Sequence, residues 1–160
     1  MLQVGDTLPA ATVFLGPGRP LTLLDLVEDG PKLIVFYPFD WSSTCTNEME
    51  LVRDRLGDFE ELGVQPVGIS RDSPWCHIAW TQALDLNFGL LSDFNGEAVR
   101  AFGVGFEFRG LRDVAQRSAF LVDGGGSVLA TWQYPSGEVP DVDEWLETAA
   151  QVLKPARASG

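Results

Sequence analysis

Cys45 is the residue of this sequence whose type and position best suit nucleophilic chemistry. It follows a continuous apolar run over residues 32–37, which predicts a strand covered on both faces. The residues from Cys45 onward have the spacing of an amphipathic helix, so the thiol falls in its first turn, where backbone N–H groups lack intrahelical partners. The helix dipole favours an anion there, and a thiolate attacks electrophilic sulfur or peroxide oxygen. Position alone leaves a second interpretation open, in which Cys45 is a buried cysteine that packs with Met49 and Val52.

Arg117 is a second candidate, although it lies far from Cys45 in the sequence. It falls inside residues 114–122, which predict a strand, on the same face as Ala119 and Leu121. A buried charge without a partner is expensive, so this guanidinium requires an anionic neighbour. The sequence leaves open whether that neighbour belongs to a reactive site or is a surface carboxylate at the end of the strand.

The cysteine count narrows the kinds of chemistry that the chain can support. Only Cys45 and Cys76 are present, with a single histidine, His77. A disulfide-stapled scaffold carries more cysteines, and a four-ligand zinc site would need help from carboxylates. Cys76 falls in the first turn of another predicted helix, which begins at Ser73-Pro74, so the same helix-dipole argument applies to it. We therefore expect a cytosolic chain without a metal, in which thiol reactivity is the relevant property.

Length and charge exclude several classes of protein. The chain has 160 residues and a formal net charge of −12, from 23 acidic and 11 basic side chains, which argues against binding to nucleic acid. No apolar run approaches the roughly 20 residues of a membrane helix, and the start of the sequence lacks the basic and apolar regions of a secretory signal. We expect a cytoplasmic protein with no membrane partner. Only Lys32 and Lys154 are lysines, and both a coding bias towards arginine and adaptation to high salt remain open explanations.

The order of predicted elements indicates an α/β fold. Two short runs, at residues 11–15 and 21–24, flank a Gly- and Pro-rich turn at residues 16–20 and predict an N-terminal β-hairpin extension. The other predicted elements are a strand at 32–37, a long helix from 45 to 63, a strand at 64–70, a helix at 73–86, a short strand at 88–91, a helix at 97–102, strands at 114–122 and 128–134, and a helix at 141–153. This is the thioredoxin-like order, and it predicts a mixed central sheet with helices on both faces. We expect residues 1–160 to form one domain.

The segment that precedes Cys45 resembles the signature of the peroxiredoxin family, in which proline, threonine or serine, and cysteine recur at fixed spacing. Pro38, Ser42 and Cys45 occupy those three positions. The stretch from Arg117 onward is similar to the arginine strand of that family, and the resemblance covers nearly the whole chain from Val4. Within the family, the chain looks most like the one-cysteine alkyl hydroperoxidase E group, followed by the bacterioferritin-comigratory group.

Three positions depart from the family pattern. Thr46 stands where proline often follows the cysteine, Ser42 replaces the motif threonine, and residues 9–11 lack the usual aspartate–phenylalanine pair. The first two changes are chemically mild, and the third lies outside the site. Glu48 matches an acidic position in much of the family, and it either orients the loop or is an exposed helix carboxylate.

The resemblance implies a thiol-dependent peroxidase of thioredoxin-like fold that uses no metal, haem or flavin. Cys45 would attack hydrogen peroxide or an organic hydroperoxide and become sulfenic acid. Pro38, which has no N–H, would shield the thiolate from water without competing for its hydrogen bonds. The Ser42 hydroxyl would hydrogen-bond to the peroxide, and Arg117 would stabilise the thiolate and the charge of the transition state. An external thiol, either a thioredoxin-like protein or a small molecule, would reduce the sulfenic acid.

Cys76 does not occupy either of two usual positions of a resolving cysteine. The position five residues after Cys45 is Glu50, and the other position, near Thr81 in the predicted helix, also has no cysteine. The resemblance therefore favours Cys76 as a free thiol at a subunit interface. Resolution within the chain would require the two helix starts to approach or partly unwind. His77 is interpreted as a surface or interface residue and not as a catalytic base.

Aromatic residues in loops or helix starts predict a homodimer, because a monomer has little reason to keep them there. They are Trp41, Trp75, Phe106 and Phe108. The alternative is that some of these side chains cover the local core.

Two other functions remain open. A thioredoxin-like disulfide oxidoreductase is disfavoured, because residues 45–48 lack the second cysteine of Cys-x-x-Cys. A non-catalytic holdase or redox-responsive binding module would use Cys45 as a sensor, and it would react with about one equivalent of peroxide where an enzyme consumes many.

Overall fold

Nine strands and six helices make up the part of the chain described by the computed structural model, which covers the backbone of residues 1–158 and the side chains of residues 1–153. The strands are β1 Thr12–Gly16, β2 Arg19–Thr22, β3 Lys32–Phe36, β4 Gln65–Ser70, β5 Gly89–Ser92, β6 Gly105–Phe108, β7 Leu111–Ala115, β8 Ser118–Val122 and β9 Val128–Gln133. The helices are α1 Leu23–Leu26, α2 Ser43–Asp54, α3 Leu56–Glu61, α4 Pro74–Leu84, α5 Glu97–Phe102 and α6 Val142–Ala158. None of the helices within residues 1–158 combines the length and the apolar character needed to cross a membrane.

Seven of the strands form one mixed sheet in the order β2-β1-β5-β4-β3-β8-β9. β3 pairs in parallel with β4 and antiparallel with β8, and β5 extends the parallel part beyond β4. β1 and β2 form the predicted N-terminal hairpin, which joins the sheet through a single bridge between Phe14 and Ser92. The mixed sheet predicted from the thioredoxin-like order is therefore confirmed.

Helices cover both faces of this sheet, as predicted. Alternate residues of a strand point to opposite faces, so Leu33 and Val35 of β3 pack in one apolar cluster while Ile34 and Phe36 pack in another. The first cluster includes buried side chains of α2, α3, α4 and α6, and the second includes those of α1 and α5. β3 thus leads from the core into the loop at residues 37–42, which lies at its carboxyl end and precedes α2.

The long helix predicted from residue 45 to 63 is divided into α2 and α3. Arg55 lies between them with φ −106° and ψ 10°, and its guanidinium bonds the carboxylates of Asp58 and Asp143. The apolar spacing that predicted one helix persists across the break, because Val52 and Phe59 are buried in the same cluster. The break does not affect the start of α2, where Cys45 lies in the first turn as predicted.

Two shorter segments also differ from prediction. The run at residues 21–24 was predicted as a strand, but Thr22 ends β2 and caps α1, since its Oγ accepts a hydrogen bond from the Asp25 N–H at 3.2 Å. The last helix was predicted to end at residue 153, whereas α6 extends to Ala158.

The single strand predicted at residues 114–122 is wrong, because β7 ends at Ala115 and β8 begins at Ser118. Residues up to Ala115 pair with β6 in a separate hairpin that was not predicted, whereas those from Ser118 pair with β3 and β9. Arg117 therefore lies in the link between two sheets and not inside a strand. Its carbonyl still accepts a hydrogen bond from the Tyr134 N–H at 2.9 Å, so the link stays attached to the end of β9.

Candidate active site

The first turn of α2 holds the Cys45 thiol, as predicted. Ser42 is the N-cap residue, and its Oγ accepts a hydrogen bond from the Cys45 N–H at 3.3 Å. This cap determines where the helix begins, and hence where the thiol lies relative to the free N–H groups of the first turn. Cys45 has no exposed surface and packs with Met49 and Val52 in the first apolar cluster. The packed-cysteine interpretation is therefore correct, and it does not exclude a reactive one.

Arg117 contacts the Cys45 sulfur directly. Its Nη2 lies 3.1 Å from Sγ, and its Nη1 donates to Glu48 Oε1 at 2.5 Å. Two further hydrogen bonds, from Nε and Nη2 to the Ser136 carbonyl at 3.2 and 2.8 Å, fix the plane of the guanidinium. Arg117 is 1% exposed, so a strand-end arginine with a surface carboxylate is the wrong interpretation. A full positive charge is held against the sulfur in a region where water screens it poorly.

Glu48 is the buried partner of this arginine. It lies one turn after Cys45 on α2, has no exposed surface, and its Oε2 has no hydrogen-bond partner among the described residues. Burial raises the pKa of Glu48 to about 7, and the adjacent Arg117 opposes this rise without cancelling it. The alternative of an exposed helix carboxylate is therefore wrong. Two acidic groups, the Glu48 carboxyl and the Cys45 thiol, share one guanidinium.

The raised pKa of Glu48 predicts a pH-dependent contribution to stability. Its folded-state pKa of about 7 exceeds the ordinary value of 4.5, so the protonated carboxyl is the form that the fold favours. The associated stability is fully present below pH 4.5 and is lost as the pH rises through about 7. The whole effect is at most roughly 3 kcal/mol. In urea unfolding between about pH 5 and 8, the wild type should lose stability relative to Glu48→Gln, whose amide does not ionise.

Glu50→Gln is the matched control for this experiment. Glu50 lies on the same helix but is partly exposed and lies 3.8 Å from Arg53 in a surface ion pair. Its substitution should change stability without this trend in pH. If the difference between Glu48→Gln and the wild type stayed constant over the whole range, Glu48 would be ionised throughout and the raised pKa would be wrong.

A cavity of about 360 Å³ opens at the loop and helix turn that carry these residues. Its lining consists of Pro38, Phe39, Ser42, Ser43, Thr44, Phe108, Arg109, Arg117, Ser136 and Gly137. The predicted residues Pro38, Ser42 and Arg117 thus meet at one place, next to Cys45. The rings of Phe39 and Phe108, with centroids 6.3 Å apart, form an aromatic wall. A larger cavity of about 510 Å³ lies elsewhere, along β1, β4 and β5, but no cysteine lines it.

A buried polar network holds the loop between β3 and α2. Asp40 accepts a hydrogen bond from the Tyr37 hydroxyl at 2.6 Å, lies 2.6 Å from His77 Nδ1, and donates through its backbone N–H to Asp72 at 2.8 Å. His77 Nε2 is 3.1 Å from the Leu91 carbonyl, which can only accept, so Nε2 carries a proton.

The burial of His77 corrects its interpretation as a surface residue. The sequence held no local signal for this, because the partner carboxylate of Asp40 lies 37 residues earlier in the chain. The network also accounts for the conformation of Trp41, which follows Asp40 with φ 73°, a value that bulky side chains rarely adopt. Contacts from His77 of α4 and from Asp72, which precedes that helix, thus hold the loop in a shape that its own residues do not favour.

Cys76 lies in the first turn of α4, but its surroundings oppose ionisation. Burial is the largest cause, and the carboxylates of Asp40 and Asp72 add to it, so that the pKa of Cys76 rises to about 11. The expectation that the helix dipole would activate this thiol is therefore wrong, since these effects outweigh the dipole. The ligand atoms of Asp40, Asp72 and Cys76 lie within 4.8 Å of one another. All four carboxylate oxygens are already engaged in hydrogen bonds within the protein, Asp72 Oδ1 with the Cys76 thiol itself, so the group fits a metal poorly.

Comparisons with known proteins agree with this geometry. The sequence model of the AhpC/TSA family matches residues 4–131 of this chain. Alkyl hydroperoxide reductase E of Mycobacterium bovis is 32% identical over 152 residues, which are 94% of this chain and 97% of the relative. The chloroplastic 2-Cys peroxiredoxin BAS1 of Spinacia oleracea is 30% identical over 155 residues, which are 91% of this chain but only 57% of that longer relative. The crystal structure of the peroxidoxin BcpB from Mycobacterium tuberculosis has a TM-score of 0.83 at 27% identity, covering 95% of this chain and 99% of that one.

The chain belongs to the AhpC/TSA family, that of the peroxiredoxins. The resemblance seen in the sequence is confirmed, and an alkyl hydroperoxide reductase E is among the relatives. The likeness to BcpB over nearly the whole chain also confirms the thioredoxin-like fold.

Proposed function

We propose that this chain is a thiol-dependent peroxidase that reduces hydrogen peroxide and organic hydroperoxides through the Cys45 thiolate. The observation that carries this proposal is the 3.1 Å contact between Arg117 Nη2 and the Cys45 sulfur, beside a cavity that Pro38 and Ser42 also line. Membership of the peroxiredoxin family supports the same reaction. The sulfur itself accepts the oxygen, so the proposed reaction has no step that requires a metal, haem or flavin.

In the proposed reaction, the thiolate attacks the terminal oxygen of R–O–O–H. The S–O bond forms as the O–O bond breaks, two electrons pass from sulfur to the peroxide, and Cys45 becomes sulfenic acid. The departing RO⁻ takes up a proton and leaves as an alcohol, or as water when R is hydrogen. Arg117 stabilises the negative charge as it moves from sulfur to oxygen, and the Ser42 hydroxyl hydrogen-bonds to the peroxide. Pro38 keeps water and competing N–H donors away from the sulfur.

Two equivalents of an external thiol complete the cycle. They return the sulfenic acid to the thiol, release water and form the disulfide of the reductant. Cys76 is poorly suited to this role, because a pKa of about 11 keeps it protonated at neutral pH. We therefore assign the reduction to a thioredoxin-like protein or a low-molecular-weight thiol, and Cys76 remains a free thiol. A single-domain, cytoplasmic enzyme is consistent with a chain of this length that has only two cysteines.

Turnover of peroxide in the presence of dithiothreitol tests the proposal. We expect each chain to consume many equivalents of hydrogen peroxide. Without the donor, one equivalent should raise the intact mass by one oxygen atom, located on Cys45. A chain that stopped after about one equivalent with the donor present would be a redox sensor or holdase, and a loss of two hydrogens would indicate an internal disulfide with Cys76.

We also propose that the chain forms a homodimer through a surface centred on Trp41 and Trp75. These side chains are 57% and 68% exposed, and Ile78 is 46% exposed. The contact between Asp40 and His77 brings the two tryptophan-bearing segments together, since each tryptophan lies within two residues of it. Exposed aromatic side chains are common anchors of interfaces, and a twofold axis would pair this surface with its own copy.

Trp75→Glu should convert this dimer to a monomer, because it places a charge in an apolar contact. Sedimentation velocity of the reduced protein at micromolar concentration measures the change. Leu24→Glu is the control, since Leu24 is 57% exposed but lies on α1. Phe106 and Phe108 were also predicted to lie at the interface, but they are not substituted in this experiment. Their rings lie 5.7 Å apart, and Phe108 lines the cavity beside Cys45. A monomeric wild type, or a Trp75→Glu variant that stayed dimeric, would count against this surface.

A further inference from the structure

The rim of the cavity beside Cys45 carries an arginine in an uncommon backbone conformation. Arg109 and Gly110 connect β6 to β7, and their φ values are 52° and 86°. A two-residue hairpin turn with positive φ at both positions favours asparagine followed by glycine, because L side chains other than asparagine and aspartate rarely adopt the left-handed region. The turn would therefore form more readily with asparagine at position 109 than with the arginine that is present.

Arg109 also differs from the other arginine of the lining in how its charge is used. Arg117 lies between the Glu48 carboxyl and the Cys45 sulfur, which together take up its charge. None of the ion pairs among the side chains of residues 1–153 includes Arg109. Its guanidinium carbon lies 5.6 Å from the centre of the Phe108 ring, which keeps it on the aromatic wall of the cavity.

The charge of this cavity is opposite to that of the protein as a whole. The chain has 23 acidic residues and a net charge of −12, yet two of the residues lining the cavity are arginines and none is acidic. The volume of about 360 Å³ is about twelve times what a water molecule occupies in the liquid, so hydrogen peroxide fills only a small part of it. The remaining space has an apolar wall and a cationic rim.

We propose that Arg109 makes this site selective for organic hydroperoxides that carry a carboxylate. The carboxylate pairs with the Arg109 guanidinium, the apolar body lies against Phe39 and Phe108, and the hydroperoxyl group reaches Cys45. The negative protein and the thiolate both repel an anionic substrate, and a cation at the rim offsets that repulsion. The proposal rests on the peroxidase function proposed above and specifies its substrate class.

Two substrates test this proposal, cumene hydroperoxide with a carboxylate at the para position and the methyl ester of the same compound, which lacks the charge and adds one methyl group. Quenched flow with intact mass measures the second-order rate constant of Cys45 oxidation by each. We expect the wild type to favour the acid by about fivefold, the upper range for an exposed ion pair, and the preference to weaken with added salt. In Arg109→Asn, the ratio of the two rate constants should fall to about one or below.

Arg112→Gln is the matched control, because it removes the same charge from an exposed position of the same hairpin that does not line the cavity. It should keep the wild-type ratio. Arg109→Asn should unfold at a temperature no lower than the wild type, since asparagine suits the turn, so a lost preference would not reflect misfolding. Equal rate constants for acid and ester in the wild type, or an unchanged ratio in Arg109→Asn, would overturn the selectivity. A wild type that reacted with neither compound nor with hydrogen peroxide would instead overturn the peroxidase function.

Discussion

Replacement of Cys45 by serine is expected to abolish peroxide consumption, while replacement of Cys76 by serine should leave most of it. Serine keeps the size of the side chain and its place in the first turn of α2, but an alcohol does not form a nucleophilic anion at neutral pH as a thiol can. Cys76 is poorly suited to replace Cys45, because burial and the carboxylates of Asp40 and Asp72 raise its pKa to about 11, so that the thiol stays protonated at pH 7. Consumption of hydrogen peroxide with dithiothreitol as donor measures both variants.

The comparison between these two variants also tests whether Cys76 takes part in the cycle. If Cys76 were a resolving cysteine, Cys76→Ser would accumulate over-oxidised Cys45, and its rate would depend more strongly on the donor thiol. If Cys45→Ser still turned over peroxide, Cys45 would not be the attacking thiol. Circular dichroism and thermal unfolding of each variant would show whether a loss of activity came from a loss of fold, which is a necessary check because Cys45 is fully buried.

Arg117→Ala is expected to slow the attack on peroxide by several orders of magnitude. The variant loses the contact of Nη2 with the sulfur and the charge that stabilises the transition state. A charge-assisted hydrogen bond contributes roughly 1.5–3 kcal/mol, and loss of a preorganised donor to the transition state costs about 2.7–4 kcal/mol. Because each 1.36 kcal/mol corresponds to about tenfold in rate, the combined effect spans several orders of magnitude. The rates of thiolate alkylation and of peroxide reduction measure the two parts separately.

The fold should tolerate this substitution better than the loss of a buried ion pair would suggest. Arg117 lowers the pKa of Glu48, so its removal raises that pKa further and leaves the carboxyl neutral at pH 7. The double variant Arg117→Ala with Glu48→Gln is the control, since it has no buried carboxyl and still lacks the guanidinium. We expect it to be as slow as Arg117→Ala. Unchanged rates of alkylation and peroxide reduction in Arg117→Ala would show that the guanidinium does not act on the sulfur.

The elements that were predicted correctly are those whose sequence signal is local. β3 is a continuous apolar run between two prolines, and α4 begins with the Ser73 cap followed by Pro74, so both could be located without knowledge of their neighbours. The same holds for Pro38, Ser42 and Cys45, which lie within one short segment. The break between α2 and α3 was missed because the apolar spacing continues across Arg55.

The features that were not predicted depend on contacts between distant segments. The burial of Glu48 results from its pairing with Arg117, which lies 69 residues later. The β6–β7 hairpin was missed because its strands are short and partly exposed and its turn contains arginine where asparagine is the usual signal. Without that hairpin, the segment that contains Arg117 looked like one strand, and the rim of the cavity could not be recognised.

The complete burial of Cys45 has a kinetic consequence. A sulfur without exposed surface is reached through an adjoining space, and the cavity lined by Pro38, Ser42 and Arg117 adjoins it. In the proposed reaction, peroxide and the reducing thiol would therefore enter by the same route in turn, and each product would leave before the next reactant arrived. Such a cycle follows ping-pong kinetics. At moderate thiol concentrations, kcat/KM for peroxide should therefore not depend on the thiol concentration. A large excess of thiol would occupy the reduced site and compete with peroxide for it.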